Sequence, residues 1–150
     1  LTGDRGPIFE DIEELTTTIS TDSRAVSCTV SDDNPSGEAA GVSAVTLTYQ
    51  LDSQTATVNS VSLSMTAGTA EDGTWEGDIP GQASGTTVYW SLTATDGNGN
   101  STSSITFSYF IFASLLISLL LSISVFFNSG GFPSKIKIGF IFDINKFMFL

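Results

Sequence analysis

Residues Gly85–Thr102 read GTTVYWSLTATDGNGNST. Val88, Trp90, Leu92 and Ala94 alternate strictly with Tyr89, Ser91, Thr93 and Thr95. A side-chain period of two is the mark of a strand with one buried and one wet face. The run stops in Asp96-Gly97-Asn98-Gly99-Asn100, residues that tolerate positive φ and so reverse the chain. Ser101 to Ser108 then reads as a return strand. This hairpin decides the fold class, and it names neither a ligand nor a reaction.

The same period recurs on the N-terminal side. Val26, Cys28 and Val30 alternate with Ser27, Thr29 and Ser31, and Val45, Leu47 and Tyr49 with Thr46 and Thr48. A turn near Asp52-Ser53 leads to Val58 and an inward set Val61, Leu63 and Met65. Trp75, Gly77 and Ile79 make a short strand closed by Pro80-Gly81. The first segment, Ile8 to Ile19, is ambiguous. Its apolar spacing suits a short amphipathic helix, whereas the β-branched Thr16-Thr17-Thr18-Ile19 favours an irregular first strand. Counting that segment, about seven strands with turns every 8–12 residues predict an all-β, seven-stranded antiparallel β-sandwich. Residues 1–6 form a linker, 7–108 the sandwich, 109–128 an apolar segment and 129–150 a tail.

Charge narrows the function. The chain carries a formal −11. Residues 1–104 hold fifteen of its sixteen acids against Arg5 and Arg24 alone, a formal −13. Such a surface repels phosphate backbones, which excludes nucleic acid as a partner. It suits an extracellular or cell-surface protein, one that could meet cations. The chain has no histidine, so Ser-His-Asp and Cys-His catalysis and His-rich metal sites are absent. Cys28 has no second cysteine to pair with and reads as a small buried hydrophobe. Leu1 is not a Met and no apolar leader follows it, which predicts a fragment or mature product.

Several ordered marks resemble one family. They are Val26-x-Cys28-x-Val30-x-Asp32, Gly41-Val42-x-x-Val45-x-Leu47-x-Tyr49 and Trp75-x-Gly77-x-Ile79-Pro80. The hairpin adds Gly85-Thr86-x-Val88-x-Trp90-x-Leu92-x-Ala94-x-Asp96-x-x-Gly99-Asn100. Together they resemble the bacterial immunoglobulin-like and fibronectin type III-like modules of secreted and surface proteins. The resemblance implies a module that spaces, displays or adheres, whose partners are other modules of the same polypeptide or surface proteins, and rarely an enzyme. The chain departs from that pattern in Trp90, where a Tyr is commoner, and in the unpaired Cys28.

Alternate loops of such a sandwich share one pole. Here that pole collects the loops Asp32–Gly41, Gly68–Gly73 and Asp96–Asn100. Asp32, Asp33, Asp96, Asn98 and Asn100 are the candidate metal ligands, with Glu38, Glu71 and Asp72 nearby. Hard oxygens on loops are what Ca²⁺ takes, and Asp96-x-Asn98-x-Asn100 has a one-three-five spacing. The glycine and the bidentate acid of a full calcium loop are missing, and the plainer reading is turn formers on a solvated acidic rim. Glu71 and Asp72 are adjacent carboxylates with no apolar pocket in evidence, so no catalytic residue and no required cofactor is assigned. Trp75 and Trp90 face inward as core; Tyr89 faces outward, where a single exposed aromatic is ordinary, and carbohydrate on an exposed face is the alternative to calcium as a ligand.

The run 107–127, FSYFIFASLLISLLLSISVFF, is uncharged, and Lys135, Lys137 and Lys146 follow it. Its length and flank read as a membrane-spanning helix with the acidic domain outside. Two other readings remain open. Ten of the eleven phenylalanines fall after residue 104, as out-of-frame translation of AT-rich DNA would produce, and the run could also supply buried core strands.

Overall fold

A computed structural model describes residues 5–32 and 41–114. They form nine strands: β1 (Ile8–Ile12), β2 (Arg24–Ser31), β3 (Val42–Leu51), β4 (Asn59–Ser62), β5 (Ser64–Gly68), β6 (Asp72–Ile79), β7 (Thr87–Asp96), β8 (Ser101–Ser103) and β9 (Phe107–Phe110). One sheet has the order β1-β2-β6-β5. The other has the order β4-β3-β7-β8, with β9 also paired to β7. All strand pairings are antiparallel. The two inner faces supply one core, from Val26, Cys28, Val30, Trp75 and Ile79 to Val45, Leu47, Val88, Trp90 and Leu92. The fold is a β-sandwich.

Nine strands replace the expected seven because two sequence runs each divide. The run from Val58 to Met65 breaks at Leu63. β4 pairs with β3 in one sheet and β5 with β6 in the other, so the chain changes sheets at one residue. Leu63 is buried at that crossing, and its amide donates to the Val45 carbonyl at 2.9 Å. Its side chain lies over Gly77, where an added Cβ would stand 3.1 Å from Leu63 Cδ1. Met65, expected in the core, is instead 45% exposed because β5 is an edge strand with every residue exposed.

The return strand divides likewise. β8 pairs with Thr93–Thr95 and β9 with Thr87–Trp90 of β7. Ser104 bridges the gap: its amide donates to the Leu92 carbonyl and its hydroxyl accepts from the Leu92 amide, both at 2.9 Å. β9 runs past Ser108. Tyr109 and Ile111 are core residues at 3% and 1% exposure, and the Phe107 ring stacks on Trp90 with centroids 4.6 Å apart. Residues 107–111 of the uncharged run therefore belong to the sandwich. From residue 115 onward the expected membrane-spanning segment, and the tail at 129–150, lie outside the described residues. Among the described residues no helix is long and apolar enough to cross a membrane.

At the N-terminus the strand reading holds over β1, which pairs with β2 through a bulge between Phe9 and Asp11. The threonine run is not a strand. Thr18 makes a single parallel bridge to Ile111, so this segment also touches both sheets. The Arg24 guanidinium lies 5.2 Å from the centroid of the Tyr109 ring and donates to the Thr16 carbonyl at 3.2 Å. Charge over an aromatic face thus joins β2 to β9. Burial pushes the Tyr109 phenol up, with Arg24 opposing and Tyr49 adding to the shift. Asp52, at φ 62°, ends β3 in the left-handed region that aspartate tolerates. Its Oδ1 accepts from the Thr87 amide at 2.9 Å, which fixes where β7 begins.

Candidate functional site

The loops expected at one pole do meet there in their described residues. The Asp32 amide donates to the Glu71 carbonyl at 2.9 Å, and the Gly97 amide to the Gly41 carbonyl at 3.0 Å. Val42 donates to the Ala70 carbonyl at 2.6 Å. The approach is close enough that a Cβ on Gly41 (φ +64°) would stand 2.7 Å from the Ala70 Cβ. Asp33 and Glu38 lie outside the described residues.

Asp32 and Asp96 are buried, at 3% and 2% exposure. Asp96 serves its own hairpin. Its Oδ1 accepts from the amides of Asn98 (2.9 Å) and Asn100 (2.8 Å), and its Oδ2 accepts from Asn100 Nδ2 (2.8 Å). Its amide donates to the Asn100 carbonyl at 3.0 Å. An aspartate that bonds the backbone two residues on is a side-chain mimic of a turn. Burial opposes its charge, but the Asn100 side chain and the amides of Asn100, Asn98 and Gly99 outweigh that. The carboxyl is held below the usual aspartate value. Asp96, Asn98 and Asn100 are therefore brought together, as a carboxylate and its donors. Among the described residues no three Asp, Glu, Cys or His side chains gather as a metal-holding group.

Glu71 is exposed. The Thr69 hydroxyl and its own amide lower its carboxyl, the direction opposite to that of a general acid. Cys28 is 2% exposed, and burial pushes its thiol up to about 11. A thiol that stays protonated at neutral pH is not a nucleophile. Trp75 and Trp90 are buried in the core, and Tyr89 lies half-buried on the outer side of β7.

The two outer faces differ in a way that only topology reveals. On the β1-β2-β6-β5 sheet, the pairs Ala25–Asp78, Ser27–Glu76, Ser31–Asp72 and Thr29–Asp11 turn outward. All four acids there are exposed. On the other sheet, Ser62, Thr46, Thr93 and Ser103 form one row, and Ser60, Thr48 and Ser91 the next. The five strands of that sheet contain one charged residue, Asp96, and it is turned into the hairpin. The alternation of hydroxyl residues is legible in the sequence; that every strand of one sheet lacks an outward charge requires knowing which strands pair.

No family model matches this sequence, and no curated protein sequence matches it either. Among solved structures, the chain is similar to part of the cycloalternan-forming enzyme from Listeria monocytogenes, solved in complex with a pentasaccharide substrate. The TM-score is 0.50 at 10% identity, over 63% of this chain and 8% of that enzyme. It is also similar to BhCBM56 (TM-score 0.35, 16% identity, 57% of this chain and 77% of that one). Murine CRIg gives a TM-score of 0.34 at 12% identity, over 70% of this chain and 97% of that one. The likeness to the Listeria enzyme concerns the fold of a small part of it.

The lowered carboxyl of Asp96 makes a pH prediction. Its folded value lies below its unfolded value of about 3.9, so the unfolded chain binds the proton more readily in the window between them. The stability contributed by the carboxylate is complete above about pH 5 and is lost as the pH falls through that window. Thermal midpoints of the native chain and Asp96→Asn, taken across acid pH, are expected to differ most above about pH 5 and to converge below about pH 4. A difference unchanged over that range contradicts the assignment.

Proposed function

We propose that this chain is a non-catalytic module of a secreted or cell-surface protein, acting as a spacer or adhesion unit. Its partners in this reading are neighbouring modules of the same polypeptide or other surface proteins. One observation carries the proposal: the groups that could do chemistry are committed to architecture. Asp96 closes its own hairpin, Cys28 is a buried protonated thiol, and the indoles of Trp75 and Trp90 are core. The resemblance of the ordered motifs to bacterial immunoglobulin-like and fibronectin type III-like modules supports the same reading, and so does the absence of histidine. Fold likeness alone would not, because one fold hosts many functions. Attachment to a membrane would rest on the uncharged residues from 112 onward.

The test is turnover. The full chain, incubated with neutral polysaccharides and with chromogenic esters, is expected to release no product above buffer. Product formation that Glu71→Gln abolishes would contradict the proposal.

Calcium at the loop pole is the second reading, favoured by the convergence of the Asp32, Gly41 and Ala70–Glu71 backbones beside Asp96. An ion there must replace the donors that Asp96 now accepts from. Melting the full chain in millimolar CaCl₂ and then in EDTA decides it. A higher midpoint in calcium that Asp96→Asn removes supports the site, and equal midpoints remove it.

A further inference from the structure

We propose that the outer face of the sheet formed by β3, β4, β7, β8 and β9 is a docking surface for an uncharged polysaccharide, with Tyr89 as its stacking platform. This deepens the module reading above and rests on it, since the face would bind the glycan without cleaving it.

Charge selects the occupant. The opposite outer face presents Asp11, Asp72, Glu76 and Asp78, all exposed, and would draw a cationic partner to itself. An anionic partner meets the field of a strongly acidic body. The strands around Tyr89 turn no charged side chain outward, and the nearest carboxylate, exposed Asp52 just past the end of β3, is held by the Thr87 amide. A neutral polyol can cover the strands of that face, with Asp52 left at its margin, without stripping water from an ion, which is the costly step in burying charge.

The side chains on that face are set up for hydroxyl recognition. Thr48 and Ser91 bond across strands at 3.1 Å, Thr93 and Ser103 at 2.9 Å, and Thr95 and Ser101 at 2.8 Å. Each pair uses one hydroxyl hydrogen, leaving a second hydrogen and several lone pairs for a partner. Groups already held in place lose little freedom on binding. Tyr89 stands between Gln50 on β3 and Ser108 on β9. Gln50 is itself locked, donating from Nε2 to the carbonyls of Gln54 (2.7 Å) and Ala56 (2.8 Å). Phe110 lies on the same face and meets Phe112 edge to face, with centroids 5.0 Å apart. The electron-rich face of an aromatic ring accepts the polarised C–H face of a pyranose, and the flanking hydroxyls satisfy the sugar's equatorial groups.

Affinity electrophoresis of the full chain in gels containing amylose, laminarin or hydroxyethyl cellulose, with heparin as the anionic control, tests this. Retardation in at least one neutral gel is expected, unchanged between low and high salt because no ion pair is involved. Tyr89→Ala should weaken it by about tenfold or more, a stacking interaction's share. Tyr89→Phe and Glu76→Gln should retain it, with melting midpoints confirming that each variant folds. No retardation in any neutral gel overturns the proposal, as does retardation indifferent to Tyr89→Ala or confined to heparin. A concentration-dependent dimer in sedimentation, lost in Tyr89→Ala and without retardation, overturns it in favour of a second copy of this chain. Release of reducing sugar in these gels would overturn the module reading itself, and so separates the two failures.

Discussion

The strict in-and-out alternation of β7 holds its sheet in register. β7 pairs with β3 along nearly its whole length on one side and with both β8 and β9 on the other. Its inward residues, Val88, Trp90, Leu92 and Ala94, are buried, and its outward residues are the centre of the uncharged face. A slip of one residue in this register would send Trp90 into water and Tyr89 and Thr93 into the core. The Asp96 turn guards against that slip, because the carboxylate fixes where β7 ends and β8 begins. Asp52 does the same at the start of the strand, through the Thr87 amide.

Around that strand the sandwich closes by segments that change sheets. Leu63 carries the chain from the β3 edge to the β6 edge, and Gly77 makes the space for it. The N-terminal segment leaves β2 after β1 and reaches Ile111 through Thr18. Arg24 spans the same gap over the Tyr109 ring. Each link ties the two sheets without a disulfide, which a chain with one cysteine cannot form. Burial of Tyr109 and Ile111 adds apolar area of the kind that makes a small domain stable on its own.

Most of the core was legible from period two alone. Val26, Cys28 and Val30, Trp75 and Ile79, and Val88, Trp90, Leu92 and Ala94 are buried as the alternation predicts. Leu63 was legible as inward but not as a point of division, because a strand that changes sheets keeps its period and loses only its partner. Tyr109 and Ile111 stand at the start of a continuous apolar run, where periodicity no longer separates core strand from membrane helix. The role of Asp96 was hidden differently. A carboxylate flanked by Asn and Gly suits a cation and a turn equally well, and hydrogen-bond geometry distinguishes them. The uncharged face was visible strand by strand as Ser and Thr, yet only the pairing of β3 with β7 and β4 gathers those strands into one surface.

Native-state hydrogen exchange tests whether β7 and β9 form one cooperative unit, since amides in a strand bonded on both sides open only when the whole domain opens. The amides of Val88, Trp90 and Leu92 are expected to exchange at one common, slowest rate, and Tyr109 and Ile111 to share it. Fast exchange at Tyr109 and Ile111, with β7 still protected, would show instead that the sandwich closes without β9.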